Sequence, residues 1–223
     1  MMKKIGIIAA LPGELKPLVN GWQQRGSVYF GRIGEIECVA IAGGVGAKAA
    51  EDACEQLLLE ARMDALVSVG WAGALTCGVK PPDAFAITEV VDSMTGEIYQ
   101  AQSADGCRLL TLDHIARYDE KRKLAERYRT PLVDMEAAAV ARQAQAKSIA
   151  FYGFKAISDA YTDKLPDFNR FMGDDGQLRM PAFLGYTALH PQYWAVLKRL
   201  GRNCKMAASN LASLIAESMG QRL

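Results

Sequence analysis

Short apolar runs rich in β-branched residues alternate along the chain with helix-length segments. The apolar runs predict seven strands: Lys4–Leu11, Val28–Ile33, Glu37–Ala42, Ala65–Val69, Ala84–Val91, Leu132–Met135 and Ile149–Ile157. The segments between and after them predict five helices: Gly13–Gln24, Gly46–Arg62, Glu120–Tyr128, Glu136–Lys147 and Pro191–Met219. Because strands and helices interleave, we expect an α/β fold of three layers, with a central twisted sheet flanked by helices.

Two neighbouring predicted strands, Val28–Ile33 and Glu37–Ala42, are joined by a turn at Gly34-Glu35, which is typical of a β-hairpin. The sheet is therefore expected to be mixed rather than wholly parallel. No internal repeat, low-complexity tract or linker interrupts the 223 residues. We predict a single domain that spans residues 1–223.

The composition argues against several classes of protein. A formal net charge of +1 gives no reason to expect nucleic acid or an anionic membrane as a partner. The five cysteines are scattered without a C-x-x-C pair, which argues against disulfides or a cysteine metal site and favours the cytoplasm. With only His114 and His190 available, a histidine-rich metal centre is not expected either.

The first residues place lysines before an apolar run, a pattern that also occurs in signal peptides. The run ends at Leu11, before Pro12 and Glu14, and no small-residue cleavage site follows it. It is also far too short to span a membrane. We therefore interpret it as a buried strand.

Ligands of open α/β sheets bind at the carboxyl ends of the strands. Five such ends attract attention in this chain: Leu11–Glu14, Ala42–Gly46, Gly70–Ala74, Asp134–Glu136 and Ser158–Asp159. Three of the five carry a carboxylate. The two histidines give no recognisable nucleophile-and-base pair with a serine.

Two of these strand ends are rich in glycine. AGGVGAKAA, with Gly44 and Gly46, loosely fits a dinucleotide-binding turn, but Asp64 lies on the wrong side of its strand to bind a ribose. Either free N–H groups at a helix start hold a polar ligand here, or the turn is purely structural. SVGWAGAL, with Gly70 and Gly73, allows both close approach to a ligand and tight strand packing.

Together these segments resemble the nucleoside phosphorylase and nucleosidase superfamily over nearly the whole chain. IGIIAALPGEL, AGGVGAKAA and SVGWAGAL are similar to three successive strand ends of methylthioadenosine/S-adenosylhomocysteine nucleosidases. VDMEAAAVA resembles their V-E-M-E-A segment, and KAISDAYTD resembles their A-I-S-D motif. The resemblance implies a phosphorylase-like fold, a homo-oligomer and cleavage of the bond between a ribose and a purine, with adenine the expected base.

The resemblance also implies roles for individual residues. Asp159 stands on the catalytic acid that protonates the departing purine, and Ser158 would orient it. Glu136 stands on the ribose-binding glutamate, and Glu14 on the glutamate that polarises the attacking water or holds the remaining hydroxyl. Further substrate contacts are expected from the glycine turns and adjoining segments: Met135, Gly44, Gly46, Gly70, Trp71, Ala72, Gly73, His114 and Ile115. No cofactor or metal is implied, and phosphate enters only as an alternative co-substrate.

Two features are similar to phosphorylases of hopanoid biosynthesis, which release adenine from adenosylhopane. One is the tail, with DDGQLRMPAF and LKRLGRNCKMAASNL, and the other is the short stretch between Val91 and Asp134. Trp71 departs from the nucleosidases, which have a serine there. Ser68 departs from the hexameric phosphorylases, whose phosphate-binding arginine stands at that position, although Arg32 could replace that arginine.

Each acid also has a simpler role open to it. Asp159 could cap a turn, and Glu14 and Glu136 could complement helix dipoles. Asp134 is expected to serve the following helix or to face solvent. The loop Asp159–Gly176 contains five aspartates that we expect to be solvated apart from any catalytic role: Asp159, Asp163, Asp167, Asp174 and Asp175. Three apolar residues of this loop could contact the group on the ribose or pack in the core: Phe168, Phe171 and Met172.

Three functions remain open from the sequence. The first is hydrolysis of an adenine nucleoside to base and free sugar, and the second is phosphorolysis to a sugar 1-phosphate. The third is a catalytically inactive nucleoside-binding protein, which Trp71 would permit by filling the nucleophile's position. The co-occurrence of Glu14, Glu136 and Asp159 argues against this last alternative.

Overall fold

The protein, described by a computed structural model over residues 4–173 and 179–220, is built on ten strands. The strands are β1 (Lys4–Ala9), β2 (Gln23–Arg25), β3 (Val28–Ile33), β4 (Ile36–Ala42), β5 (Ala65–Ala74), β6 (Ala84–Asp92), β7 (Ile98–Gln100), β8 (Cys107–Thr111), β9 (Leu132–Asp134) and β10 (Ala150–Asp159). The helices are α1 (Pro12–Leu15), α2 (Ala47–Glu60), α3 (Lys121–Tyr128), α4 (Ala137–Ala146), α5 (Met180–Ala188) and α6 (Trp194–Gly220). Two short 3₁₀ turns, Phe168–Phe171 and Pro191–Tyr193, complete the described structure.

All ten strands join one mixed sheet, in the order β10-β6-β8-β9-β5-β1-β4-β3-β2, with β7 on the edge of β6. Strand β10 also pairs with β5, so β5, β10, β6, β8 and β9 close into a ring. The predicted hairpin is confirmed, because β3 and β4 pair antiparallel from Val28↔Ile41 to Ile33↔Ile36. Parallel pairing of β1 with β4 and β5 brings their carboxyl ends to one edge.

Helices cover both faces of the sheet, as the sequence predicts. Helices α2 and α4 pack on one face, where their small residues Ala53 and Ala141 are almost fully buried with Leu57. Helices α1 and α6 cover the other face, with Leu15 and Leu211 in the core. Within the described part of the chain, no helix is long and apolar enough to cross a membrane.

The predicted helix Gly13–Gln24 is wrong beyond its first turn. Helix α1 ends at Leu15, turns follow, and Gln23–Arg25 is the edge strand β2. Pro17 has no N–H to continue a helix, and Gly21 takes a positive φ of 81° that ends the turns.

The strand predicted to end at Val69 continues to Ala74. Its extension is paired on both sides, with β10 up to Asp159↔Gly73 and with β9 at Gly73↔Val133 and Ala74↔Leu132. The segment SVGWAGAL is therefore mostly strand rather than a turn. Three short strands (β2, β7 and β8) and helix α5 escape the sequence prediction, because segments of three to nine residues carry little periodicity.

Truncating a core residue of α2 tests the packing of this helix on the sheet. Leu57→Ala should lower the free energy of unfolding by about 2–5 kcal/mol, because the fully buried side chain leaves a cavity. Leu59→Ala, on the same helix with a residue exposure of 88%, should change it by less than about 0.5 kcal/mol. Chemical denaturation of the three proteins measures both values; equal losses would contradict the packing described here.

Candidate active site

The carboxyl ends of β1, β4, β5, β9 and β10 surround a cavity of about 690 Å³. Most of the residues predicted for the site line it: Glu14, Gly44, Trp71, Ala72, Gly73, His114, Ile115, Met135, Glu136, Ser158 and Asp159. Gly46 and Gly70 do not line it, but each lies next to one of its acids. Gly46 donates its N–H to Glu136, and Gly70 lies beside the Glu14 carboxylate. The structure therefore brings the five predicted strand ends to one place.

Glu14 is buried in the first turn of α1, where both carboxylate oxygens accept backbone hydrogen bonds. Oε1 accepts from the Trp71 N–H at 2.7 Å, and Oε2 accepts from the Leu11 N–H at 2.7 Å. Burial raises the pKa of Glu14 above its usual value. The two N–H groups and the charge of Lys155 act in the opposite direction but do not outweigh burial. Gly70 is required beside it, because a Cβ there would lie 2.7 Å from Glu14 Oε1.

Glu136 precedes helix α4, but its side chain accepts a hydrogen bond from the start of helix α2. Its Oε1 accepts from the Gly46 N–H at 2.7 Å, at the N-terminus of α2, and its Oε2 accepts from the Met135 N–H at 3.2 Å. Gly46 has a φ of 94°, which favours glycine at this position. Burial, and then the charge of Asp134, raises the pKa of Glu136 to about 7.

Asp134 is buried and does not face solvent, so that alternative from the sequence is wrong. The other alternative, that Asp134 serves the following helix, agrees with the structure, because its carboxylate accepts a hydrogen bond from the Ala137 N–H in the first turn of α4 at 3.0 Å. Its Oδ2 also lies 2.8 Å from Lys155 Nζ, and both side chains are only 1% exposed. Thr111 Oγ1 donates to Asp134 Oδ1 at 2.7 Å. Sequence alone gives no sign of this ion pair, because Lys155 lies inside an apolar strand.

Asp159 at the end of β10 accepts hydrogen bonds from two side chains. Ser158 Oγ donates to Oδ1 at 2.8 Å, and Lys121 Nζ donates to Oδ2 at 2.6 Å. Lys121 is the first residue of α3, and its side chain is 2% exposed. Sequence reasoning missed Lys121, since nothing in the charged segment KRKLAERY distinguishes the one lysine that points inward.

The remaining wall of the cavity is apolar and comes from the loop after β10 and from α6. It consists of Leu165, Phe168, Met172, Leu200 and Cys204. The sequence pointed to Phe168 and Met172 but not to the residues of α6. Burial raises the pKa of the Cys204 thiol to about 12, so this cysteine is protonated and not a thiolate nucleophile. Phe171 does not line the cavity and instead packs on Phe183 and Tyr186.

Trp71 forms one side of the cavity without filling it. Its indole N–H donates to the Cys204 carbonyl on α6 at 3.1 Å. The ring lies against Gly13, where a Cβ would be 3.1 Å from the indole.

Two expectations about other side chains, Arg32 and Asp163, are corrected. Arg32 lies exposed on β3 beside Glu35 and Glu37 and does not line the cavity, so it does not replace a phosphate-binding arginine there. Ser68 is buried within β5, also away from the cavity. Asp163 is not solvated, because it pairs with Arg199.

Of the other loop aspartates, Asp167 accepts from the Asn169 N–H at 3.1 Å and caps the 3₁₀ turn Phe168–Phe171. Asp174 and Asp175 lie outside the described residues. The sequence alternative that Asp159 merely caps a turn is not what the structure shows, since its oxygens accept from Ser158 and Lys121.

A model of the family described as "Phosphorylase superfamily" matches residues 4–114 of the chain. The match includes β1, the glycine turn before α2 and the long strand β5, which carry much of this cavity. This part of the chain is therefore similar in sequence to the phosphorylase superfamily.

Solved structures that cover nearly the whole chain share its fold. Helicobacter pylori 5'-methylthioadenosine/S-adenosylhomocysteine nucleosidase is similar with a TM-score of 0.72 and 16% identity, covering 100% of this chain and 99% of that one. Arabidopsis thaliana 5'-methylthioadenosine nucleosidase gives 0.74 and 17%, covering 99% and 95%. Helicobacter pylori futalosine hydrolase gives 0.72 and 16%, covering 100% and 99%. Comparison with curated proteins finds no match in sequence.

The end of the cavity nearest α3 holds His114 and Ile115. The His114 ring nitrogens lie 2.7 Å from Asp113 Oδ1 and 3.1 Å from Glu120 Oε1. Burial opposes protonation of His114, but the two carboxylates outweigh it and raise the pKa. The Ile115 backbone is fixed by Asn169, whose Oδ1 accepts from the Ile115 N–H at 2.8 Å. These contacts hold the α3 end of the cavity to the loop after β10.

The raised pKa of Glu136 predicts a specific dependence of stability on pH. The folded protein holds the carboxyl proton of Glu136 more tightly than the unfolded chain does. The contribution of protonated Glu136 to stability is therefore complete below pH 4.5, and it is lost as the pH rises through about 7. Glu136→Gln should remove that loss, so the variant gains stability relative to wild type as pH rises from 4.5 to 8. Denaturant unfolding across this range measures the difference.

The matched control is Glu55→Gln, at an exposed position of α2. Its difference from wild type should stay constant over the same pH range. A constant difference for Glu136→Gln as well would show that Glu136 ionises as it does in the unfolded chain.

Proposed function

We propose that this enzyme hydrolyses the N-ribosidic bond of a purine nucleoside, with adenine as the base, and releases the free base and the free sugar. The observation that carries the proposal is the convergence of three carboxylates, Glu14, Glu136 and Asp159, on one cavity. Each carboxylate is fixed by its own donors, so the three act at different atoms of one bound nucleoside.

Asp159 serves the base. Its carboxylate is fixed by Ser158 and Lys121 and lies against Gly73, where a Cβ would be 3.3 Å from Oδ2. Absence of a side chain at Gly73 keeps space for a flat ring in front of the carboxylate. As the bond breaks, a purine nitrogen gains a proton. The Asp159 carboxylate accepts a hydrogen bond from that protonated nitrogen and balances its positive charge.

Glu136 serves the ribose. The backbone N–H groups of Gly46 and Met135 orient its carboxylate and leave lone pairs that can accept from sugar hydroxyls. As the bond to the base breaks, the sugar gains positive charge, and a nearby carboxylate stabilises that charge.

Glu14 serves the nucleophile. Both of its oxygens are fixed by backbone donors at 2.7 Å, and each keeps a lone pair for a water molecule in the cavity. The water oxygen attaches to the anomeric carbon, and the electron pair of the broken bond goes to the base. One water proton passes to Glu14 or solvent, and the base gains one proton from the Asp159 side.

Water is favoured over phosphate by the charges around the cavity. The described residues that line it include no arginine, and the two buried lysines are paired with Asp159 and Asp134. A phosphate dianion would therefore meet Glu14 and Glu136 without a free cation to hold it.

The apolar wall supports a second candidate, which concerns the group carried by the ribose. Leu165, Phe168, Met172 and Leu200 provide an apolar surface beside the acids, suited to an apolar substituent on the sugar. Methylthioadenosine and the larger adenosylhopane both carry such a group, and phosphorolysis of the latter is the alternative reaction. The proposal retains the expected cytoplasmic location and homo-oligomeric assembly, and it needs no cofactor or metal.

The open cavity argues against an inactive binding protein. Trp71 is held aside by its hydrogen bond to Cys204 and contact with Gly13, so it does not occupy the space in front of Glu14 and Asp159.

Product analysis tests the reaction directly. Purified protein should release free base and free sugar from methylthioadenosine, S-adenosylhomocysteine or adenosine without phosphate, and added phosphate should leave the rate unchanged. Chromatography of the base and of the sugar product measures both, with inosine testing the choice of base. Release only in the presence of phosphate would replace hydrolysis by phosphorolysis. No release from any of these or from adenosylhopane would support a binding protein.

Replacing the base-facing acid separates catalysis from binding. Asp159→Asn should lower kcat by about 100-fold or more, because the amide cannot pass on a proton. Its oxygen can still accept from Lys121, so nucleoside binding measured by calorimetry should persist. Asp52→Asn, at an exposed position of α2, should keep the wild-type rate. A near-wild-type rate for Asp159→Asn would show that the acid is assigned wrongly.

A further inference from the structure

Lys121 is a buried ammonium group whose role so far is only to fix the Asp159 carboxylate. Its side chain is 2% exposed, yet it borders the cavity. Nζ lies 2.6 Å from Asp159 Oδ2 and 3.0 Å from the Ala160 carbonyl oxygen. Burying a lysine is unfavourable unless its charge is matched, and an apolar side chain would pack at this position without that penalty.

The position of Lys121 is fixed from two directions. It begins α3, where its N–H donates to the Arg117 carbonyl at 3.2 Å. The preceding residue, Glu120, contacts His114 on the cavity wall. The ammonium therefore reaches Asp159 from a helix anchored to the same cavity.

Asp159 has the environment of an acceptor rather than of a carboxylic acid. Both its oxygens already accept, Oδ1 from Ser158 and Oδ2 from Lys121. A proton that Asp159 passes to the base has to be resupplied through one of these two donors, and Lys121 Nζ is the closer, at 2.6 Å against 2.8 Å for Ser158 Oγ.

We propose that Lys121 is the positioning residue for Asp159 and the source of the proton that Asp159 passes to the purine. This inference rests on the proposed function of the same cavity. As the ribosidic bond breaks, its electron pair moves onto the purine, which becomes strongly basic. A proton then moves from Lys121 Nζ to Asp159 and from Asp159 to a purine nitrogen. Lys121 is left as a neutral amine, which regains a proton from solvent after the product leaves.

Two substitutions separate proton supply from fixed charge. Lys121→Met removes both charge and proton, whereas Lys121→Arg keeps a charge that does not give up its proton. Both variants should lower kcat on the order of 10- to 100-fold at pH 8, with KM within about 3-fold of wild type. Both should recover activity as pH falls, because solvent then supplies the proton, whereas the wild-type rate should change less.

The matched control is Arg142→Met, which breaks a partly exposed ion pair with Glu51 and Asp92 outside the cavity. Its pH profile should match wild type. Thermal melting of each variant identifies the temperature range in which all are folded. If Lys121→Met does not fold, Lys121→Arg still carries the test of proton supply.

A double variant tests whether Lys121 acts through Asp159. Adding Lys121→Met to Asp159→Asn should lower kcat by less than about 2-fold beyond Asp159→Asn alone. A further loss equal to that of Lys121→Met in the wild type would overturn the inference.

The outcomes distinguish this inference from the proposed function. If the wild type releases no base from any nucleoside, both fall together. If the wild type is active and Lys121→Met keeps its rate and pH profile, only the role of Lys121 falls. Full activity of Lys121→Arg at pH 8 would overturn proton supply, because a fixed charge would then suffice.

Discussion

The buried ion pair between Lys155 and Asp134 is the constraint on which the site depends. Each ion loses hydration worth several kcal/mol on burial, so neither is tolerable without the other. Asp134 also accepts from Thr111 and from the Ala137 N–H, and in this way the pair joins β8, β9, β10 and the start of α4. The charge of Lys155 also acts on Glu14 and Glu136, where it partly offsets the rise in their pKa values that burial causes. One lysine therefore stabilises the acids on the side of the cavity that we propose binds the ribose.

Charge balance then explains how four acids occupy so small a region. Glu14, Asp134, Glu136 and Asp159 face two buried ammonium groups, those of Lys121 and Lys155. Burial, and after it the excess of negative charge, raises the pKa of Glu136 to about 7. In the proposed reaction, the same excess favours positive charge on a bound sugar and disfavours a phosphate ion. Stability and reaction preference thus follow from one electrostatic arrangement.

The sequence predicted the acids better than the groups that hold them. Glu14 and Asp159 follow β1 and β10, which both run parallel to β5, so the convergence of these two acids was predictable. Glu136 follows β9, which runs antiparallel to β5, and the parallel-strand argument does not extend to it. Lys121 and Lys155 were not, because a buried lysine looks the same in sequence as an exposed one. The short strands carry too little periodicity to be recognised. The predicted helix Gly13–Gln24 is too long because Pro17, which has no N–H for a helical hydrogen bond, lies within it. Partners 20 or more residues apart, such as Asp134 and Lys155, become visible only in the folded chain.

Helix α6 shows how a distant segment can compensate for an unusual residue in the site. A tryptophan beside Glu14 would close the cavity if its ring were free to turn inward. The indole N–H instead donates to the Cys204 carbonyl, and Gly13 leaves room for the ring on its other side. The ring becomes a wall continuous with Leu200 and with Phe168. Under the proposed function, Trp71 is thus better explained as part of an apolar surface for the sugar's substituent than as a block to catalysis, because the acids beside it remain open to the cavity.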